Sequence, residues 1–230
     1  MEETLFFLRW IHFLAGITWI GILYYFNFVQ TPFFAETEAP VRAGAIQKLV
    51  PRALWWFRWG AMMTFLAGIL MYLIEWHRMG GQFFSQPYAH IITIGGLMGT
   101  IMFLNVWLVI WPAQQVVIAS ANQVASGGQA LPDAAARGRR SALTSRTNVV
   151  FSIPMLFFMG AARHYPALVS QGSLPAWLWI IVLIVIAAVE YNALAGTQGP
   201  TKKPLDSVSG ALWFGFILWA VLYALLLIFG

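Results

Sequence analysis

The sequence predicts an all-α, polytopic transmembrane bundle of about six helices. Three observations carry that reading. The chain has 230 residues, of which 60% are hydrophobic and only 9% charged, whereas a soluble domain carries about 25% charged residues. Its 8 acids and 13 Lys plus Arg are too few to cover a soluble body of this size, and the mean hydropathy is +0.73. Rings are abundant, with 12 Trp and 7 Tyr, as expected where amphipathic aromatics anchor both membrane interfaces.

The whole of residues 1–230 reads as one transmembrane domain, with spans at about 5–28, 54–76, 88–113, 147–162, 176–191 and 208–229. The first holds Trp10, Trp19, Tyr24 and Tyr25 among apolar residues and ends or kinks at Pro32. Glu36 to Pro51 is a polar connection. The second begins near Arg58, which can snorkel to an interface. The third contains Gly95, Gly96 and Gly99, small residues that allow close helix contact, and Pro112 marks its far end. Ser126 to Ser145, with Gly127, Gly128, Pro132, Arg137, Arg139 and Arg140, reads as a loop. The apolar part of the fourth falls short of the ~20 residues a bilayer asks for, and it contains Pro154, which a helix bundle tolerates. Met1-Glu2-Glu3 has no basic n-region, so no removable signal peptide is expected.

Six spans put both termini on one side, and the basic residues choose it. Arg42, Lys48, Arg52, Arg58, Arg137, Arg139, Arg140, Arg146, Lys202 and Lys203 gather on the loops of one side, against Arg9, Arg78 and Arg163 on the other. Cytoplasmic loops carry the excess of Lys and Arg. The termini are therefore expected in the periplasm of a bacterial inner membrane. The net charge of +5 expresses this bias, and no nucleic-acid partner is expected. The bilayer itself is the first partner.

Alternating helix directions bring all four histidines, His12, His77, His90 and His164, to the side of the termini. Two imidazoles on facing helices fill both axial positions of a haem iron. Cysteine is absent, which excludes disulfides, thiolate ligands and c-type attachment. The expected cofactor is accordingly noncovalent haem b, one or two per chain. His12 with His90 is the deeper pair, and Gly16 and Gly95 nearby leave room for a macrocycle. Arg9, Arg78 and Arg163 are the cations available to its propionates. Zinc or copper are alternative guests of these imidazoles, and the bland alternative is hydrogen bonding to headgroups, water or loop backbone. No catalytic residue is singled out. On the opposite half lie Asn27, Asn105, Gln114, Gln115, Glu190 and Asn192. Glu190 draws interest because an ionisable group in a span is expensive. Asn105 reads as a helix-packing contact.

Several stretches resemble the membrane domain of the PuuD-type urate hydroxylases. They are HFLAGITWIG at 12–21, LYYFNFVQ at 23–30, WFRWGAM at 56–62, NVWLVIWPAQ at 105–114 and SIPMLFFM at 152–159, the last followed by His164-Tyr165-Pro166. The resemblance implies a bacterial membrane cytochrome linked to purine breakdown, one that hydroxylates urate and passes electrons to the respiratory chain. It extends the haem-ligand expectation to His12, His77, His90 and His164, and it carries over no urate-binding residue. Typical members carry a C-terminal cytochrome c domain. This sequence stops at Gly230 without a Cys-x-x-Cys-His motif, so a periplasmic cytochrome c is expected as a separate partner. The expected function is a haem-binding redox protein of urate hydroxylase type. The alternative is a non-enzymatic structural or assembly subunit of a larger respiratory or photosynthetic complex.

Overall fold

A computed structural model describes residues 2–170 and 172–230. Helix α1 (Glu2–Tyr24) passes through a π-helical turn (Tyr25–Gln30) into α2 (Thr31–Glu36). Helices α3 (Ala39–Lys48) and α4 (Val50–Met79) follow. Helix α5 (Pro87–Leu104) passes through a second π-helical turn (Asn105–Ile110) into α6 (Trp111–Ala125). Then come α7 (Ala134–His164), α8 (Ala176–Leu194) and α9 (Val208–Phe229). Among the described residues six helical stretches are long and apolar enough to cross a membrane. The protein is a multi-pass, all-α membrane protein.

The helix boundaries have local causes. Pro40, Pro51 and Pro87 stand in the first turns of α3, α4 and α5, where a missing N–H costs nothing, whereas Pro32 and Pro112 follow the two π turns inside continuous helical runs. Gly80, at φ 56°, ends α4 in a backbone region that penalises a Cβ. The Ser207 hydroxyl accepts a hydrogen bond from the Gly210 N–H at 3.0 Å and caps α9.

Alternating directions give the bundle two ends. One, the terminal end, carries both chain termini; the other, the basic end, carries the connections 37–49, 126–133 and 195–207. Among the described residues four helical runs overshoot the bilayer. Glu2–Glu36 has 35 residues, Val50–Ser85 has 36, Pro87–Ala125 has 39 and Ala134–His164 has 31. At 1.5 Å per residue they run roughly 45 to 60 Å, against about 30 Å of hydrocarbon. The 19 residues of α8 and 22 of α9 just span it. The surplus of the runs through α1, α5 and α7 emerges at the basic end. Residues 134–145, expected as loop, are there the first three turns of α7. Arg140 donates to the Ala193 and Leu194 carbonyls at 2.8 and 2.7 Å, and Arg139 pairs with Asp206 at 2.7 Å. The arginines that suggested a loop therefore tie α7 to the α8–α9 connection.

Helix α7 is the axis of the molecule. It packs against α5, α9, α6, α8 and α1, and 67% of its apolar window is enclosed, against 11% for the first span. Close approach depends on small residues. A Cβ on Gly95 would lie 3.1 Å from the Met159 backbone nitrogen, and one on Gly215 would lie 3.0 Å from the Val150 carbonyl oxygen. Ile17, Leu108, Ile184 and Trp213 remain exposed on the outside, where lipid is the solvent.

Candidate functional site

Three of the polar side chains that the sequence places in the basic half, Asn27, Asn105 and Gln114, bond directly to α7. Both π-helical turns deliver an asparagine to it. Each turn lies just ahead of a proline, Pro32 or Pro112, whose ring cannot sit against the carbonyl four residues back in a regular α-helix. A wider turn relieves the clash, and such bulges are frequent at functional sites.

From the first π turn, Asn27 donates to the Leu23 carbonyl and to Ser145 Oγ, both at 2.8 Å. Its Oδ1 accepts from Arg146 Nε at 2.8 Å. Arg146 is 7% exposed, and its remaining contact is the Leu205 carbonyl at 3.4 Å. Just above, Tyr24 and Ser152 share a hydroxyl–hydroxyl bond of 2.9 Å. From the second π turn, Asn105 Nδ2 donates to Asn148 Oδ1 at 2.9 Å and to Glu190 Oε2 at 3.0 Å. Asn148 Nδ2 donates in turn to the Met102 carbonyl at 3.0 Å. Asn105 and Asn148 are buried, and Glu190 is half-buried. Among the described residues no cation pairs with Glu190.

The result is a carboxylate with two amides, and a guanidinium-bound third amide, about the basic half of the central helix. The sequence marked Asn27, Asn105 and Glu190 but not their partners. Arg146 counts in the sequence only as one of the basic residues that set the topology, and Asn148, inside the fourth span, carries no mark of its own because its partner lies on another helix. At the rim, Lys202 donates to Asn192 Oδ1 at 3.2 Å. Burial lowers its pKa from the usual lysine value, and Arg140 and Arg139 add to the effect.

The histidines go elsewhere. His12 lies in the α1–α4 interface with Nδ1 2.8 Å from the Thr64 carbonyl, and a Cβ on Gly68 would meet its ring at 3.1 Å. His90 is buried between the turn after α4 and helix α8. Its Nε2 is 2.8 Å from the Phe84 carbonyl, and its Nδ1 accepts from Trp179 Nε1 at 3.1 Å. Both nitrogens of His90 are thus engaged. His77 and His164 are exposed at the ends of α4 and α7. Arg78 pairs with Glu75 at 2.9 Å, while Arg9 and Arg163 are exposed.

The expectation of haem b is corrected. Among the described residues no group of three or more His, Cys, Asp or Glu stands where it would hold a metal ion, and cysteine is absent. Sharing one end of the bundle did not gather the imidazoles, because His12 and His90 are drawn to different neighbours and His77 and His164 stand exposed at separate helix ends. The glycines expected to admit a macrocycle face helices instead: Gly16 faces Thr64, and Gly95 faces Met155 and Met159. A shallow cleft of about 290 Å³ beside His77 is lined by Thr4, Leu70, Leu73 and Ile74. Its walls are nearly all apolar and it lies at the opposite end from the amide–carboxylate cluster, so the chemistry favours the cluster as the site.

Comparison with curated proteins and with solved structures returns no match. The family model described as urate oxidase N-terminal matches residues 72–221, a stretch that includes Asn105, Asn148 and Glu190. That match covers more than half of the chain, which therefore belongs to the urate oxidase N-terminal family.

Proposed function

We propose that this chain is the membrane module of a urate-oxidising system and that the Asn105–Asn148–Glu190 cluster recognises the purine. The observation that carries the reading is Glu190, an ionisable group near the bundle interior that meets only an amide. Such groups within spans mark substrate or proton paths. Urate presents N–H donors and carbonyl acceptors along a planar edge. A carboxylate beside two amides offers the complementary acceptors and donors, and the Asn105–Glu190 contact is the one a ligand would replace. The oxidation releases two electrons and two protons per urate, and a redox subunit other than this chain takes the electrons and hands them to a separate cytochrome c. The excess of basic residues supports a basic end in the cytoplasm of a bacterial inner membrane, with both termini in the periplasm.

The test is equilibrium binding of radiolabelled urate to protein in nanodiscs, paired with urate-dependent reduction of added cytochrome c by membranes. Saturable binding is expected, weakened about tenfold by Asn105→Ala, which removes a donor, or by Glu190→Gln, which removes the charge and turns one acceptor into a donor. No saturable binding, or equal binding in the variants, would overturn the assignment. A second reading, a non-catalytic subunit of a larger complex, draws on the helices that project beyond the bilayer at the basic end. Copurification of a defined complex in place of urate binding would establish it.

A further inference from the structure

Arg58 lies in α4 among three indoles. Its guanidinium carbon is 4.0 Å from the ring centroid of Trp111, 5.0 Å from Trp107 and 5.5 Å from Trp59. Aromatic faces hold a cation well, but they accept none of its N–H bonds in the plane of the guanidinium. Among the described residues no carboxylate pairs with Arg58. Its Nε is buried without a hydrogen-bond partner, and so is Nε1 of Trp107 beside it. Trp19 and Trp219 also carry buried, unpartnered indole nitrogens, yet among the described residues only Arg58 places a cation over indole rings. Two neighbouring donors, one of them charged, thus lack an acceptor where water is scarce.

Their depth in the bundle follows from its own contacts. Gln114 donates to Ser141 at 2.8 Å. Ser141 adjoins Arg140, which caps the end of α8 at Leu194. Trp111 is one turn from Gln114 toward the bilayer centre. The Arg58 cage therefore sits about one turn inside the edge of the apolar zone, within reach of the phosphate layer for a snorkelling arginine.

We propose that Arg58 and the Trp107 N–H form a binding site for a phosphate oxyanion, supplied by the headgroup of a phospholipid or by free phosphate. The guanidinium supplies charge-assisted donors that match phosphate geometry. The indoles hold the guanidinium in place, and Trp107 adds a neutral donor. The site is separate from the amide–carboxylate cluster and stands whether or not urate binds there.

The experiment is native mass spectrometry of protein released from nanodiscs of mixed phosphatidylcholine and phosphatidylglycerol. It compares wild type with Arg58→Gln, with Trp107→Phe, which keeps the ring and removes the N–H, and with Arg52→Gln as an exposed control. Wild type and Arg52→Gln are expected to retain a phospholipid. Arg58→Gln should lower the retained fraction about tenfold and Trp107→Phe by several-fold, as expected for losing a charged and a neutral hydrogen bond. Displacement of the lipid by millimolar inorganic phosphate, or phosphate binding without lipid, assigns the site to free phosphate. Retention against phosphate assigns it to the headgroup. If Arg58→Gln does not fold, Trp107→Phe decides alone. Equal retention in wild type and Trp107→Phe, or no phospholipid and no phosphate on wild type, overturns the proposal.

Discussion

At the scale of single residues, the cost of a polar side chain in the bundle depends on what it would leave behind. Asn27 holds the guanidinium of Arg146 at 2.8 Å, and Arg146 has little water to turn to. Asn27→Leu strands that charge, and an unsatisfied buried charged group costs about 3 kcal/mol or more. Tyr24→Phe breaks a hydroxyl pair whose members can find other partners, and such contacts between membrane helices average about 0.6 kcal/mol. Thermal unfolding in a mild detergent should separate the two variants clearly; similar losses would show that Arg146 is rescued by solvent. The contrast also explains what was legible at this scale. Asn27, Asn105 and Glu190 stand out in the sequence because polar residues interrupt apolar runs. Their partners sit more than 40 residues away along the chain, and no local pattern reports that. The histidines fail for the same reason: one end of a bundle is a wide place, and the sequence does not say which neighbour each ring meets.

Elements meet through their small residues. Gly95 and Gly96 are adjacent but face different surroundings. A Cβ at Gly95 would press on the α7 backbone near Met159, whereas at Gly96 it would meet nothing within 4 Å. Gly95→Leu should therefore push α5 from α7 and destabilise the fold by about 1–3 kcal/mol through overpacking. Gly96→Ala should be neutral or gain up to about 1 kcal/mol from helix propensity. Denaturation followed by tryptophan fluorescence would check both, and a larger loss at position 96 would contradict the packing. The apolar runs made these elements readable, and the glycine patch marked a contact without naming the partner. Two features were beyond a periodicity argument. A π turn adds one residue to a helix and leaves only a proline as its trace. The first turns of α7 look like loop because Gly127, Gly128, Pro132 and three arginines suggest one, and only the α8 carbonyls and Asp206 explain Arg140 and Arg139.

For the whole molecule, the absence of cysteine makes orientation directly measurable. Ser126→Cys in the α6–α7 connection should resist an impermeant maleimide in intact cells, and Gly81→Cys at the terminal end should react. The reverse pattern would invert the topology. The unequal helix lengths have a further consequence, for the membrane in which the protein works. The long runs through α1, α4, α5 and α7 continue beyond the bilayer and are indifferent to its thickness. Helix α8 is not: its 19 residues reach about 28 Å, between two ends fixed by Pro175 and by the arginine cap at Leu194. The α8–α9 hairpin is thus the gauge of the molecule. In lipids with a core near 27–30 Å its amides should exchange slowly, but in longer-chain lipids the mismatch should fall on it alone. Hydrogen exchange would then rise at the two ends of α8 while α5 and α7 stay protected, and a uniform rise would refute the idea. A short helix beside long ones would make the protein selective for thin membranes, without any residue that recognises a lipid tail.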